Sequence, residues 1–163
     1  MIEAFSQTRT RLFHAALALV CVVVAGGIGN LATLPNIPTW YAGLVKPAFN
    51  PPNWIFGPVW TVLYLMMALS LYRLLRRADS QPKIAAIIVF LVQLAFNAAW
   101  SVAFFGLHSP ALGLIVIVVL WALIALTIKM ALPLDRLAGY LLLPYLLWVS
   151  FAMVLNIAIL VLN

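Results

Sequence analysis

Long apolar stretches alternate with short clusters of charged and turn-forming residues along this chain of 163 residues. The charge-free runs cover residues 12–38, 47–72, 84–128 and 137–163. The third run contains the sequence Gly-Leu-His-Ser-Pro at 106–110, which predicts a turn and divides the run into two segments. Each of the five resulting segments is close to the length of about 20 residues that crosses a bilayer as an α-helix. None of them alternates between apolar and polar residues as a membrane barrel strand does.

These segments predict an all-α integral membrane protein, a bundle of five transmembrane helices in one domain over residues 1–163. With 67% hydrophobic and only 7% charged residues, the chain cannot cover a soluble surface with polar groups. A loop at residues 34–53, here called the lid loop, joins the first two helices. The helices are expected at about residues 12–33, 54–76, 83–106, 110–131 and 135–160.

The basic residues cluster on one side of the predicted bundle. Two arginines precede the first helix, four basic residues flank the 2–3 connection, and Lys129 and Arg136 flank the 4–5 connection. Only Lys46, in the lid loop, lies on the other side. The positive-inside rule therefore predicts a cytoplasmic N-terminus, with the lid loop and the C-terminus outside. Topology accounts for the net charge of +6, so no nucleic-acid binding is expected.

The titratable residues argue against several classes of function. The one cysteine, Cys21, lies within the first apolar segment, so neither an internal disulfide nor a thiolate metal cluster is expected. The charge-free runs contain no Asp or Glu, which argues against a hydrolytic centre and against ion-coupled transport. His108, in the 3–4 turn, is interpreted either as an exposed loop residue or as a ligand for haem iron. No metal site and no required cofactor are predicted.

The sequence WYAGLVKPAFNPPNWIFGPVWTVLY at residues 40–64 is rich in aromatic residues and proline. Proline fixes φ and has no N–H donor, so Pro47, Pro51 and Pro52 should keep this part of the lid loop extended or turned. Together with Lys46 they are interpreted as the scaffold of the lid. An ordinary loop between membrane helices does not need such stiffness, which indicates that the lid covers something.

Aromatic residues continue into the second helix. Pro58 falls one or two turns after its start, where it should kink the helix or leave a carbonyl free. Trp60 and Tyr64 follow at i, i+4 spacing, so their rings project from one face. Because they lie deeper than an interfacial aromatic belt, they are candidates for ligand contact.

The third predicted helix has two different faces. Five residues with amide, hydroxyl or aromatic side chains follow the spacing i, i+4, i+7, i+8, i+11, which places them on one stripe directed toward the bundle interior. The opposite face carries alanines in small-xxx-small spacing, which suits a second copy of the protein. The inward stripe comprises Gln93, Asn97, Trp100, Ser101 and Phe104, and the predicted dimer face comprises Ala95, Ala99 and Ala103.

The fifth predicted helix repeats the inward pattern. Tyr145, Trp148, Ala152 and Asn156 are spaced i, i+3, i+7, i+11 and therefore share a face. Pro144, just before this stripe, should bend the helix and free a backbone carbonyl. The fourth helix offers only Trp121, which is interpreted as a packing or lipid-facing residue.

The chain resembles a known family, the translocator or tryptophan-rich sensory proteins (TspO/MBR), also called peripheral benzodiazepine receptors. The resemblance rests on the 40–64 sequence, on QLAFNAAWSVAFF at 93–105 and on LPYLLWVSFAMVLN at 143–156. It implies a five-helix bundle, usually homodimeric, with a cavity beneath the lid loop that binds porphyrins, sterols or benzodiazepine-type ligands. The family's pocket positions match Tyr41, Trp60, Tyr64, Asn97, Trp100, Trp148 and Ala152.

The resemblance implies a membrane receptor or sensor for tetrapyrroles, with a role in their transport or regulation. Protoporphyrin or haem is the expected ligand, with membrane lipid and a second copy through the third helix as the other partners. The C-terminal tail lacks the Tyr and the basic residue that family members with sterol binding carry. Their absence argues against a sterol as the ligand without excluding it. Two alternatives stay open: light-dependent porphyrin degradation, in which Trp60 and Trp148 would be the redox-active residues, and facilitative transport of a small molecule.

Overall fold

The chain folds into a bundle of long helices, as the hydropathy pattern predicts. The computed structural model describes residues 2–163, with side chains from Gln7 onward, and this part of the chain contains no β-strand. Five helical segments are long and apolar enough to cross a membrane. The predicted fold class, an all-α membrane protein of five transmembrane helices, is therefore confirmed. The spans are Gln7–Tyr41, Asn53–Leu75, Gln81–Gly106, Pro110–Ala131 and Arg136–Leu162.

The first helix, α1, runs from Ile2 to Thr33 and begins well before its apolar segment. The chain then continues helically, through a 3-10 turn at Leu34–Asn36 and a π-turn at Ile37–Tyr41. The expectation of a loop over residues 34–53 is therefore wrong for its first eight residues. The reason is that Pro35 and Pro38 fall in the first turns of these short segments, where a missing N–H costs little.

Three further helices follow with few irregularities: α2 (Asn53–Leu75), α3 (Gln81–Ser101) and α4 (Pro110–Ala131). The last two begin at serine caps, with Ser80 Oγ accepting from the Lys83 N–H and Ser109 Oγ from the Leu112 N–H. Pro58 is accommodated inside α2 without ending it.

A π-turn at Val102–Gly106 extends α3 and changes which residues face outward. Ala95 and Ala99 are exposed, whereas Ala103 is buried. The prediction that all three alanines share one outer face is wrong for Ala103. A π-turn has more residues per turn than an α-helix, so the 3.6-residue periodicity no longer applies beyond residue 101.

The fifth span consists of two helices, α5 (Arg136–Tyr140) and α6 (Leu143–Leu162). The break falls just before Pro144, as expected, because proline has no N–H to continue the ladder of α5. The Asp135 side chain caps α5 by accepting from the Ala138 N–H at 3.1 Å. The fifth helix expected at 135–160 is thus not continuous, because a turn separates the short α5 from the long α6.

The core lies where α3 packs against α1 and α4, with α1 also contacting α2 and α4 also contacting α6. Met67, Phe90, Leu120 and Tyr145 are among its fully buried side chains. Gln93 is also buried, and neither of its amide atoms has a hydrogen-bond partner among the described residues. The interior of this bundle therefore combines apolar packing with a minority of buried polar groups.

Candidate ligand-binding site

A cavity of about 450 Å³ lies at the end of the bundle that carries the lid loop. Its walls come from the end of α1 and the turns that follow it, the first turns of α2, the end of α3, and α6. No residue of α4 lines it, in agreement with the scarcity of polar residues in that helix. Among the seven predicted pocket residues, six line the cavity: Tyr41, Trp60, Tyr64, Trp100, Trp148 and Ala152.

Aromatic rings form two groups along the cavity wall. Trp60 lies 5.3 Å from Tyr64 and 6.2 Å from Tyr145, measured between ring centroids. Trp148 meets Phe56 edge to face at 5.9 Å. The i, i+4 spacing on α2 brings Trp60 and Tyr64 together, and α6 supplies Trp148 on the wall and Tyr145 behind it. Such rings offer broad apolar surface to a flat ligand.

Asn97, the seventh predicted residue, lies behind the wall and not on it. It is 2% exposed, its Oδ1 accepts a hydrogen bond from Tyr64 Oη at 2.9 Å, and its Nδ2 donates to Tyr145 Oη at 2.9 Å. On the other side, the Tyr64 ring rests on α1, where a Cβ added to Gly26 would lie 2.9 Å from it. The sequence predicts an amide that bonds the ligand, whereas this amide holds two tyrosines in place.

A second buried amide fixes the opposite side of the cavity. Trp100 Nε1 donates to Asn156 Oδ1 at 3.2 Å, and Asn156 Nδ2 donates to the carbonyl of Pro110 at 2.8 Å. Gly113 leaves the space for this amide, because a Cβ there would lie 2.9 Å from Asn156 Oδ1. Trp100 then stacks on Phe104 at 5.6 Å. Asn156 lines the cavity but is missing from the predicted pocket, although its position in the inward stripe of the fifth helix could have identified it.

The lid loop is held by hydrogen bonds within itself. Tyr41 Oη donates to Asn50 Oδ1 at 2.8 Å, which ties the end of the helical part to the turn beyond it. Lys46 Nζ donates to the carbonyls of Ala42 and Leu44 and lies 4.8 Å from the centre of the Tyr41 ring. Lys46 thus acts as a brace within the lid, and its ammonium group is not directed into the cavity.

The extended part of the lid is also tied to the end of α6. The side-chain amide of Asn163 pairs with Val45, accepting from its N–H at 3.0 Å and donating to its carbonyl at 3.1 Å. The carbonyls of Pro47, Pro51 and Pro52 accept hydrogen bonds of 2.9, 3.1 and 3.0 Å from neighbouring residues. The prolines therefore serve as acceptors in the local turns, which is compatible with the scaffold predicted for them.

His108 lies outside the cavity, in the turn between α3 and α4. It has a positive φ of 53°, its ring stacks on Trp40 at 4.8 Å, and its Nε2 lies 2.8 Å from Asn36 Oδ1. These contacts connect the 3–4 turn to the helical part of the lid loop. No cluster of three or more metal-ligating side chains occurs in the part of the chain that the structure describes.

Comparison with known proteins identifies this architecture. The chain matches the TspO/MBR family over residues 17–162. It is 41% identical over 149 residues to the tryptophan-rich protein TspO of Chlorobaculum tepidum, covering 91% of this chain and 94% of that protein. It is 36% identical over 148 residues to the tryptophan-rich sensory protein of Cereibacter sphaeroides, covering 91% and 92%. It is 34% identical over 119 residues to the translocator protein of Homo sapiens, covering 72% and 70%. The chain belongs to the TspO/MBR family, and it is an integral, multi-pass membrane protein of the sensor and translocator type.

Proposed function

We propose that this protein binds a tetrapyrrole such as protoporphyrin in the cavity beneath the lid loop, as a step in its transport or regulation. The observation that carries the proposal is the set of indole rings on the cavity wall, from Trp60, Trp100 and Trp148. A conjugated macrocycle can stack on such surfaces, and the removal of its apolar faces from water favours binding. The names of two relatives, a sensory protein and a translocator protein, support sensing or transport as the consequence of binding.

Titration of tryptophan fluorescence with protoporphyrin tests this proposal. The double variant Trp60→Phe, Trp148→Phe should bind about 30-fold more weakly, because each substitution removes stacking surface worth about 1 kcal/mol. Trp121→Phe is the matched control, since Trp121 lies outside the cavity and bonds Ser150 on α6. Equal affinity of the double variant and the control would refute binding at this wall.

Light-dependent degradation of the bound porphyrin is the second candidate. The supporting observation is the contact of Trp60 with two tyrosines, one of which is buried in the core. Electrons can pass between aromatic rings at such separations, so an excited porphyrin next to Trp60 would have an oxidisable neighbour. Illumination with and without oxygen, monitored by the absorbance of the Soret band, distinguishes degradation from binding alone. A protein that only binds leaves the band intact in both cases.

We also propose that the lid loop and the C-terminus face outward and the Asp135 end faces the cytoplasm. The distribution of basic residues supports this orientation through the positive-inside rule. The test is labelling of single cysteines introduced at Val45 and at Ser80, in a Cys21→Ala background, with a thiol reagent that cannot cross the membrane. Labelling of intact cells at position 80 and not at 45 would reverse the proposal.

A homodimer through α3 is proposed on the exposed pair Ala95 and Ala99, whose small side chains allow close approach of a second helix. Replacing both by leucine should shift the protein toward monomer in cross-linking or light scattering. An unchanged dimer would place the interface elsewhere.

A further inference from the structure

The cavity wall formed by α1 and α3 differs in chemistry from the aromatic wall. At Gly29 a Cβ would lie 3.1 Å from Ser101 Oγ and 4.0 Å from Tyr64 Oη, so two hydroxyl groups meet the bare backbone of α1 at this point. Gly29, Ser101 and the next residue, Asn30, all line the cavity. We call this place the Gly29 notch, after the glycine whose missing side chain lets the Ser101 hydroxyl approach α1.

Two polar groups at the notch, the Ser101 hydroxyl and the Asn30 amide, are free to donate a hydrogen bond to a ligand. Tyr64 has donated its hydroxyl proton to Asn97, so its oxygen retains acceptor capacity only. Thr61, also on the cavity wall, donates to the carbonyl of Gly57 at 2.9 Å. In contrast, the Ser101 hydroxyl and the Asn30 amide have no hydrogen-bond partner among the described residues. A ligand that covers these two groups without bonding them would strip them of water, and no new hydrogen bond would compensate for the loss.

The charge of the cavity restricts the ligand further. No Lys, Arg, Asp or Glu lines it among the described residues. Lys46 is the basic residue of the lid, and its ammonium group is directed to two backbone carbonyls of the lid itself. A carboxylate held in the notch would therefore lose hydration without meeting a cation. An uncharged oxygen or nitrogen would lose much less and could accept from Ser101.

We propose that the Gly29 notch is a hydrogen-bonding subsite for an uncharged polar atom, such as a carbonyl oxygen, on the edge of a flat ligand. The body of the ligand lies on the aromatic wall, and the notch fixes which edge points toward α1. This subsite rests on the proposed function, since it assumes that the cavity is where flat ligands bind. It narrows the ligand class to molecules whose carboxylates, if any, point away from α1.

The test uses two flat probes that differ by one carbonyl, 9-fluorenone and fluorene. Quenching of tryptophan fluorescence gives the dissociation constant of each probe for the purified protein in one detergent. The ratio of the two constants is compared between variants, so that partition of the probes into the detergent cancels. Ser101→Ala should reduce the preference for fluorenone by about fivefold, the factor expected from one hydrogen bond, and leave fluorene binding unchanged.

Two further variants complete the experiment. Thr61→Ala removes a hydroxyl from the same cavity whose proton is already committed to Gly57, so it should leave the ratio as in the unmodified protein. Gly29→Ala places a methyl group 3.1 Å from Ser101 Oγ, which crowds the hydroxyl, and should reproduce the Ser101→Ala result. If both probes bind and Ser101→Ala leaves their ratio unchanged, the subsite is refuted while the proposed function stands. If neither probe binds, the subsite proposal fails, whereas the proposed function is decided separately by the protoporphyrin titration.

Discussion

The two ends of this bundle are held together by different chemistry. At the cavity end, the polar contacts between helices join neutral groups, as in the chain from Tyr64 through Asn97 to Tyr145. At the other end, the buried carboxylate of Asp135 pairs with Arg73 at 3.0 Å and with Arg77. Full charges are tolerated near the helix ends, where the arginines remain partly exposed to water, and they are costly deeper in the membrane. A neutral interior keeps the cavity suited to an apolar ligand, while ion pairs fasten the opposite end.

Among the substitutions considered, removing the charge of Asp135 should have the largest effect on the stability of the bundle. In Asp135→Asn, two arginines lose their shared partner, and we expect a loss of about 3 kcal/mol in unfolding free energy. The cavity lies at the other end, so ligand affinity should change by less than about twofold in protein that remains folded. Thermal unfolding in detergent and a fluorescence titration measure the two quantities. A large loss of affinity with little loss of stability would show that the ends are not independent.

Acid should weaken the same end selectively. Burial raises the pKa of Asp135, but hydrogen bonds from Arg77, the Ala138 N–H and Arg73 outweigh it and lower the pKa from 3.8 to about 2. Because the folded-state pKa lies below the unfolded one, the unfolded chain binds this proton more readily. The stabilisation is therefore complete above about pH 5 and is lost as the pH falls through 4 toward 2. The melting temperature of Asp135→Asn should fall less steeply over this range, and parallel curves would exclude Asp135 as the source.

At the cavity end, Asn97→Leu should cost less stability but more binding. The substitution leaves the buried hydroxyl of Tyr145 and the half-buried hydroxyl of Tyr64 without their partner, which we expect to cost about 2 kcal/mol. Tyr64 is then free to turn into the cavity, so affinity for a flat ligand should fall about tenfold. Asn97→Gln is the conservative comparison, since it retains a neutral amide that can accept from Tyr64 and donate to Tyr145. An Asn97→Leu protein with full affinity would mean that the position of Tyr64 does not matter for binding.

The sequence predicts the cavity end better than the end held by Asp135. Helical periodicity places Trp60, Trp100 and Trp148 on inward faces, because the repeat of 3.6 residues holds wherever the α-helix is regular. It fails at Ala103, where a π-turn changes the repeat. The pairing of Asp135 with two arginines joins residues about sixty positions apart, and no local pattern encodes such a distance.

The same limit explains the outcome at Asn97. Its position on the inward stripe follows from the sequence, and the structure has it buried. Whether an inward amide meets a ligand or another side chain depends on distances of a few ångströms between helices. The packing of α2 and α6 around α3 decides which partner the amide has, and in this structure the two tyrosines occupy its hydrogen-bonding positions.

The smallest expected effect concerns the pairing of Asn163 with Val45, which joins α6 to the lid. This contact is exposed to solvent, so Asn163→Ala should change the unfolding free energy by less than about 0.5 kcal/mol. The lid should open more often without it, which raises the association and dissociation rates of a flat ligand together, by about threefold, with little change in affinity. Stopped-flow quenching of tryptophan fluorescence measures both rates. Asn163→Gln keeps the amide on a longer side chain, so its rates should lie between those of the unmodified protein and those of Asn163→Ala. Unchanged rates in Asn163→Ala would mean that ligands reach the cavity without movement of this part of the lid.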